Sequence, residues 1–352
     1  MIRRTLVWAC ALLFLSCIGL ASMQENLEDG QSRRWYKGNT HCHTLNSDGD
    51  SSPWEVAEWY KNHGYNFLFI TDHNFLTSVD RLNAVYGKES DFLVIQGVEV
   101  SKRFGDDPIH VCALNPERLL VPEDGSSLVN VLQDTISTIR DTKAAPIIAH
   151  PNFRWSFGSE ELKKAGNCLL FELFNAHPAV NNSGWGDKQS TEEMWDDVLS
   201  SGKIIYGVAS DDAHCFREPW ARTEARPNQG WVMVEAEELS GAAIVEALEK
   251  GRFYSSTGIE LEDYRVDKAS VMIKVKQDRD AQYLLQFIGR EGNVFFETYE
   301  NQATYTFKGN EMYIRIKIED SNGNRAWTQP IWITESTSIP SFENSSESNG
   351  HK

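Results

Sequence analysis

Residues 35–258 alternate short apolar runs with amphipathic segments, and this alternation restricts the fold more than any other feature of the chain. The apolar runs have the length and the β-branched and aromatic content of strands. They are RWYKGNTHCHT, NFLFITDH, DFLVIQGVEVS, IHVCALN, APIIAH, LLFELFN, IIYGVASD and WVMVEA. The segment SSPWEVAEWYKNHG predicts a helix, because it has a serine N-cap, Pro53 in its first turn and Gly64 as its stop. Alternating strands and helices predict an α/β fold with a largely parallel sheet, an arrangement that suits a barrel.

Three further segments have the same helical pattern: SSLVNVLQDTISTIRDTK, STEEMWDDVLSSGK and SGAAIVEALEKGR. After Gly258 the helical patterns stop, and the alternating runs VMIKVKQ, AQYLLQFIGR, NVFFETYE, ATYTFKG, MYIRIKIED and QPIWITE are separated by Asp, Gly and Asn turns. This pattern predicts a small all-β, sandwich-like domain of antiparallel strands over residues 262–336. The serine-rich, charged segment 337–352 is predicted to be a disordered tail.

The N-terminus has the features of an export signal. Two arginines precede the apolar run LVWACALLFLSCIGLA, and the small residues Gly19 and Ala21 stand at the −3 and −1 positions of a cleavage site. We therefore predict a signal peptide over 1–21 and a periplasmic or secreted protein that begins near Ser22. The run is short for a membrane span, so no transmembrane span is expected in the mature protein. Lipid attachment at Cys17 is the alternative.

The formal net charge of the chain is −17. A protein that scans nucleic acid needs a basic surface to displace counterions, so this charge argues against such a function. It does not exclude an anionic substrate, since bound metal ions can accept one inside an acidic shell. We expect a small-molecule or ester substrate, and the sequence leaves the oligomeric state open.

Cysteines beyond the predicted signal peptide are few and widely spaced: Cys42, Cys112, Cys168 and Cys215. Export permits disulfides, but this spacing does not resemble a disulfide framework. We predict buried free thiols.

Histidines and carboxylates recur at the ends of the predicted strands. His41 and His43 are two residues apart and therefore project from one face of a strand, with Cys42 on the other. Similar positions are held by Asp72, His73, Glu99, His110, His150, Asp211, Asp212 and His214. Six of the nine histidines belong to this set, and the carboxyl ends of parallel strands face one rim.

Each residue alone fits an ordinary core or loop position. Buried together, the carboxylates cost several kcal/mol each, as an order of magnitude, unless cations neutralise them.

The ordered motifs HxH, SDG, TDH, GxE, H, AHP and SDxH resemble those of the polymerase and histidinol phosphatase (PHP) superfamily. The resemblance covers residues 35–258. It implies a distorted (β/α)7 barrel with up to three metal ions at the C-terminal rim. The export signal, the segment ALEKGRFYSSTG and the motif NRAWTQPIWI in the trailing β-domain resemble the exported, carbaryl-hydrolase-like (CehA/McbA) branch.

Carried over motif by motif, the resemblance implies that the metal ligands are His41, His43, Asp48, His73, Glu99, His110, His150, Asp212 and His214. Glu99 is implied as a bridging carboxylate, and Glu99, Asp72 and His214 are the implied catalytic residues. Asp72 would orient an imidazole or handle a proton. Asp212 is favoured over Asp211 because it stands two residues before His214.

Other residues are weaker candidates for substrate binding. Lys102 and Arg103 follow Glu99 and could hold a phosphate, although solvated loop charges are the alternative. The strand FELFNAH ends in Asn175, which could line the pocket together with Glu172 and His177.

The expected function is that of an exported hydrolase that uses two or three divalent ions of Zn, Mn or Fe. A hydroxide shared between such ions is available at neutral pH, and adjacent cations neutralise phosphoryl oxygens, so phosphoester hydrolysis is favoured. Hydrolysis of a carboxylic or carbamic ester or an amide remains open. So does a non-catalytic binding protein that a metal stabilises.

Overall fold

The computed structural model describes residues 33–86, 91–119, 124–221 and 223–333. The predicted signal peptide with Cys17, the expected start at Ser22 and the predicted tail lie outside these ranges. The fold is mixed α/β with a large sheet. Its helices are α1 Pro53–Asn62, α2 Asp80–Tyr86, α3 Leu128–Arg140, α4 Ser159–Lys164, α5 Thr191–Ser200 and α6 Gly241–Glu249. None of the helices in the described ranges is long and apolar enough to cross a membrane.

Strands make up the rest of the regular structure. They are β1 Arg34–Asn39, β2 Phe67–Ile70, β3 Leu93–Phe104, β4 Asp107–Leu114, β5 Ala145–Ile148, β6 Leu170–Asn175, β7 Tyr206–Ser210, β8 Trp231–Ala236, β9 Phe253–Ser256, β10 Leu261–Val266, β11 Ser270–Val275, β12 Tyr283–Ile288, β13 Val294–Thr298, β14 Gln302–Thr306, β15 Tyr313–Asp320, β16 Arg325–Thr328 and β17 Ile331–Trp332.

One 14-stranded sheet has the order β13-β12-β15-β16-β9-β8-β1-β2-β3-β4-β5-β6-β7, with β17 paired to β15. Within β1–β7, the ladders on either side of β4 are antiparallel and the other four are parallel. The antiparallel pair arises because β3 and β4 form a hairpin in which Phe104 pairs with Asp107. Since β4 runs in the opposite direction, its first half lies at the edge where the parallel strands end.

The segments that follow β1 and β7 meet at that same edge. Cys42 and Ala213 form an isolated parallel bridge, in which the His43 amide donates to the Ala213 carbonyl at 2.9 Å. The Asp212 amide donates to the His41 carbonyl at 3.0 Å. These contacts join the two ends of the β1–β7 row at the edge where its parallel strands end. A complete (β/α)7 barrel stays a prediction.

Helix caps lie where the sequence indicates them. Ser52 caps α1 in a reciprocal capping box with Glu55, and Pro53 is the first helical residue. The four predicted helices correspond to α1, α3, α5 and α6. Helices α2 and α4 were not predicted, because segments of seven and six residues are too short for a clear helical period.

The C-terminal strands form two layers. Strands β10, β11 and β14 make a separate three-stranded sheet, and its buried residues share one hydrophobic cluster with those of β12 and β15. Strand β16 pairs with β9, so the large sheet continues from the α/β part into this region without a break. The division into an α/β domain and a β-domain stays a prediction.

Candidate metal centre

All nine predicted metal ligands lie in one connected cluster at the edge of the sheet where the parallel strands of β1–β7 end. Turns after β1, β2, β5 and β7 supply most of them, Glu99 comes from β3 and His110 from the first half of β4. Glu99 lies inside its strand because β3 continues past the edge into the hairpin. His110 reaches the same place because β4 is antiparallel to its neighbours.

Glu99 is at the centre of the cluster and is completely buried. Its Oε1 lies 2.8 Å from His110 Nδ1 and 3.1 Å from His150 Nε2. Its Oε2 lies 3.2 Å from His41 Nε2 and 3.0 Å from His73 Nδ1, yet this oxygen has no hydrogen-bond partner. A buried carboxylate oxygen without a donor is costly unless a cation satisfies it.

Asp212 approaches the other side of the first two histidines. Its Oδ1 lies 3.1 Å from His43 Nε2 and 3.3 Å from His41 Nε2. The two Nε2 atoms are themselves 3.2 Å apart, so at least one of them has a lone pair directed at the other ring. Two imidazole nitrogens and a carboxylate oxygen that converge in this way match the ligands of a divalent ion.

Asp48 completes the cluster at its solvent side, where its side chain is half exposed. Its Oδ1 lies 3.4 Å from both His43 Nδ1 and His214 Nε2, and its Oδ2 lies 3.5 Å from His73 Nε2. Four overlapping groups have their ligand atoms within 4.8 Å of one another: His43, Asp48, His73 and His214; His41, His43 and Asp212; His73, Glu99 and His110; and His41, Glu99 and Cys112. The overlap suits ions that share ligands.

Charge balance provides a test of whether a metal fits. Among the described residues, no Lys or Arg forms an ion pair with Glu99, Glu172 or Asp212, and all three carboxylates are buried. Without a metal, the only compensating charge is a proton on an imidazole. Burial lowers the pKa of His73, but Asp48 and Glu99 outweigh it and raise this pKa to about 10. The cluster therefore attracts positive charge, and its nitrogen and oxygen ligands fit Zn, Mn or Fe.

Glu172 is the functional residue whose role the sequence analysis missed. Its Oε1 lies 2.8 Å from His41 Nδ1, which leaves His41 Nε2 for the cluster. The same carboxylate accepts hydrogen bonds from the His150 amide, Ser210 Oγ and Asn175 Nδ2. A charged residue in the middle of the apolar run LLFELFN was the available signal.

Asp72 contacts the imidazoles only indirectly, through a hydrogen bond to Ser47. Its carboxylate accepts from the Thr44 amide at 2.7 Å, from Ser47 Oγ at 2.9 Å and from Thr77 Oγ1 at 2.5 Å. Ser47 Oγ is in turn 3.2 Å from His43 Nδ1. Asp72 therefore holds the turn over 44–48 and orients His43 through Ser47. No imidazole among the described residues contacts it directly.

The two adjacent aspartates after β7 have different surroundings. Asp212 lies in the cluster with φ 48°, whereas Asp211 accepts hydrogen bonds from Tyr60 Oη and from the amides of residues 228–230. Asp211 therefore fixes a neighbouring loop. This arrangement agrees with the preference for Asp212 as the ligand.

The predicted substrate-binding cations have different positions. Lys102 comes three residues after Glu99 on β3, and an odd spacing along a strand places it on the opposite face. Its Nζ lies 2.7 Å from Asp124 Oδ1. Arg103 shares the face of Glu99 but is exposed at the hairpin end, where it donates to the Asp106 carbonyl at 3.4 Å. Of the two, only Arg103 is on the side of the cluster.

Asn175 is completely buried behind the cluster. Its Nδ2 donates to Glu172 Oε2 at 2.7 Å and to Asp212 Oδ2 at 3.1 Å, which uses both amide hydrogens. The amide therefore positions two carboxylates and has no hydrogen left for a substrate. His177 is partly exposed, and its ring centroid lies 5.4 Å from that of His214.

A further cation lies at the rim on the turn after β5. Phe153 packs on the rings of His150 and His110, with centroid distances of 5.3 and 6.2 Å. The exposed Arg154 guanidinium lies 5.6 Å above the Phe153 ring and forms no ion pair with a described carboxylate. The turn has positive φ at His150, Arg154 and Trp155, a backbone strain that occurs often at functional sites.

The four cysteines of the described residues are free thiols, and three of them are buried as predicted, whereas Cys215 is only partly buried. Cys112 alone belongs to a possible ligand group, beside His41 and Glu99. Burial raises the pKa of its thiol to about 12, so without a metal Cys112 stays protonated.

Comparison with known proteins gives limited matches. No protein-family model matches the chain. The chain is 34% identical over 79 residues to a 5'-3' exoribonuclease of Haemophilus influenzae, and this match spans 22% of the chain and only 28% of that protein.

Comparison with solved structures gives matches of low identity and low TM-score. One is a two-domain protein of Bacteroides vulgatus described as containing a predicted PHP-like metal-dependent phosphoesterase, at 15% identity and TM-score 0.48, covering 85% of this chain and 96% of that one. Another is a putative metal-dependent phosphoesterase of Bifidobacterium adolescentis, at 13% identity and TM-score 0.40, covering 52% and 90%. A third is an amidohydrolase of Chromobacterium violaceum with bound sulfate and no metal, at 15% identity and TM-score 0.39, covering 54% and 93%. At this similarity, a function has to be assigned from the cluster itself.

Proposed function

We propose that the cluster around Glu99 binds two or three divalent metal ions and that the chain hydrolyses phosphoesters. The observation that carries this proposal is the unbalanced charge of the cluster. Buried Glu99 and Asp212 face imidazole nitrogens, Glu99 Oε2 has no donor, and no Lys or Arg of the described residues pairs with either carboxylate. A structural network would satisfy these groups within the protein.

When bound, such ions would lower the pKa of water toward about 7 and neutralise negative charge on substrate oxygens. The protein positions the ligands. Glu172 holds His41 by its Nδ1, and Asp72 orients His43 through Ser47. Asp48 is half exposed, so the solvent side of the cluster, where Asp48 and His214 lie, is the side from which a substrate can enter.

The cations at the rim favour an anionic substrate. Arg103 is on the cluster side of β3, and Arg154 is held over Phe153 beside two of the histidines. We assign both to binding the phosphoryl group, by charge-assisted hydrogen bonds. The local match to an exoribonuclease, an enzyme that cleaves phosphodiesters, supports this class of bond. The net charge of −17 argues for small substrates rather than long nucleic acid.

We also propose that the chain is a PHP-superfamily protein of the exported, carbaryl-hydrolase-like branch, and that β1–β7 form its distorted barrel. The ordered motifs and the contacts between the ends of β1 and β7 support this assignment. Mass spectrometry of the natively produced protein tests export. A mature start near Ser22 is expected, a lipid-modified Cys17 would indicate anchoring, and an intact Met1 would contradict export.

The experiment compares p-nitrophenyl phosphate, bis(p-nitrophenyl) phosphate, p-nitrophenyl acetate and an aryl carbamate, each with Mn and with Zn. Asp212→Asn is the control, because it keeps the shape of a ligand and removes its charge. Turnover of a phosphoester by the wild type alone supports the proposal. Turnover of carbon esters alone would show the ester or amide hydrolase. Tight binding of one ion with no turnover would show a binding protein.

A further inference from the structure

A polar cleft lies between helix α5 and the C-terminal part of the large sheet, apart from the metal centre. Its volume is about 380 Å³. Its walls come from the N-terminal turn of α5, the end of β6 and strands β12, β13, β15 and β16. The floor is apolar, because Trp327 and Phe174 stack there at a centroid distance of 6.0 Å.

The carboxylates of the cleft are already engaged. Asp196 accepts from Arg315 Nε at 2.7 Å and from Arg315 Nη2 at 2.6 Å. Glu192 lies 3.0 Å from Lys317 Nζ, and Glu193 accepts from the amide of Ser190 at the cap of α5. These carboxylates therefore have partners within the protein.

The buried polar atoms of the cleft that lack a hydrogen bond are all N–H donors. They are Arg315 Nη1, Trp327 Nε1 and Arg325 Nε, of which Arg325 Nε still lies 3.5 Å from Glu319 Oε2 in an ion pair. Arg315 and Trp327 are each only 1% exposed, so bulk water does not satisfy their free N–H groups. The nearest carboxylate oxygen to Arg315 Nη1 belongs to Glu192, at 3.9 Å, which is too far for a hydrogen bond.

We propose that this cleft binds an oxyanion, the carboxylate or phosphate group of a small molecule. N–H donors without acceptors require a ligand that is rich in acceptor atoms. An arginine whose Nη1 has no acceptor, as in Arg315, binds a carboxylate or phosphate oxygen well. The N-terminal turn of α5, a helix of ten residues, lines one wall and adds the positive end of its dipole. The apolar floor accommodates the carbon skeleton of the ligand.

Val294 provides a matched pair of variants. It lines the cleft and is 46% exposed, so a polar residue there does not disturb the core. Val294→Glu adds a negative charge beside the donors, and Val294→Gln adds nearly the same atoms without charge. Trp327→Phe removes one donor and keeps the stack on Phe174.

The test is calorimetric titration of the metal-loaded protein with inorganic phosphate and, separately, with acetate. Phosphate also binds at a metal centre, so the comparison is between variants. We expect Val294→Glu and Trp327→Phe to weaken one class of sites by about tenfold or more, while Val294→Gln leaves it unchanged. The stronger of the two probes identifies the oxyanion.

Identical isotherms for the wild type and all three variants would overturn the proposal. An equal loss in Val294→Gln and Val294→Glu would overturn it as well, since charge would then be irrelevant. Inhibition of hydrolysis by phosphate, which reports on the metal centre, is expected to be the same in both Val294 variants. If Trp327→Phe does not fold, the Val294 pair still decides, because that residue is at the surface.

Discussion

The protein has two buried polar networks, and they differ in charge balance. Between β15 and α5, Arg315 donates two hydrogen bonds to Asp196, and Tyr313 Oη donates to the same carboxylate at 2.9 Å. In the cluster around Glu99, carboxylates face imidazoles, and no Lys or Arg of the described residues pairs with them. The carboxylate of the first network is paired with an arginine of the chain, whereas without a metal the carboxylates of the second have only imidazole protons to balance them.

This difference separates a carboxylate that an arginine of the chain neutralises from carboxylates that can bind a metal ion. A buried pair such as Arg315 and Asp196 stabilises one packing of α5 against the sheet, and breaking it leaves a charge unpaired. In the Glu99 cluster, only protons on imidazoles balance the buried carboxylates until a metal ion binds. Substitutions in the two networks are therefore expected to change different quantities.

The largest effect is expected for Glu99→Gln. The change keeps the shape of the side chain but removes a charge from the centre of the cluster, so metal content should fall. We expect kcat to fall by about three orders of magnitude or more, with a circular dichroism spectrum like that of the wild type. Metal analysis and steady-state kinetics check this. A folded variant with full metal content and wild-type kcat would remove Glu99 from the site.

Asp196→Asn tests the other network. Asp196 is 8% exposed, and its loss of charge leaves Arg315 with only the carboxylate of Glu192, 3.9 Å from its Nη1. We expect the free energy of unfolding to fall by about 3 kcal/mol, the range for breaking a buried pair, with metal content and kcat unchanged. Denaturant unfolding and metal analysis check this. A loss of metal without a loss of stability would mean that the two networks are not independent.

Glu172→Gln should have an intermediate effect. The amide still fits between His41 and Ser210, but it holds the His41 ring less firmly, so metal affinity should fall about 10- to 100-fold. Metal titration checks this. Glu193→Gln at the cap of α5 is the matched control and should keep wild-type affinity. Equal affinities for Glu172→Gln and the wild type would contradict the orienting role.

Arg154→Met should have the smallest effect. Removing the guanidinium over Phe153 weakens attraction of the phosphoryl group, so we expect KM for a phosphoester to rise about tenfold, with metal content unchanged. Arg265→Met, which removes an exposed arginine of β10, is the control. A KM equal to that of the wild type would place Arg154 outside the substrate site.

Much of the cluster could be predicted from the sequence, because strand alternation is local. His41 and His43 share a face by their spacing, and the TDH and AHP motifs end apolar runs. The position of His110 depends on a tertiary fact, the antiparallel direction of β4, which no local pattern indicates.

The supporting residues were harder to predict. Glu172 holds His41 across 131 positions of sequence, and a contact at that distance leaves no periodic signal. Asp72 was expected to orient an imidazole, but the contact runs through Ser47, a turn residue whose direction depends on the backbone. Lys102 follows Glu99 closely, yet alternation along β3 turns it to the other face.

The central claim is that the cluster requires metal ions for hydrolysis. The most direct measurement adds Mn or Zn in steps to chelator-treated protein and records bound ions per chain together with the rate on a phosphoester. We predict that at least two ions bind per chain and that the rate rises with them from a value near zero. Full hydrolysis in the chelated protein, or no bound ion at saturation, would contradict the account.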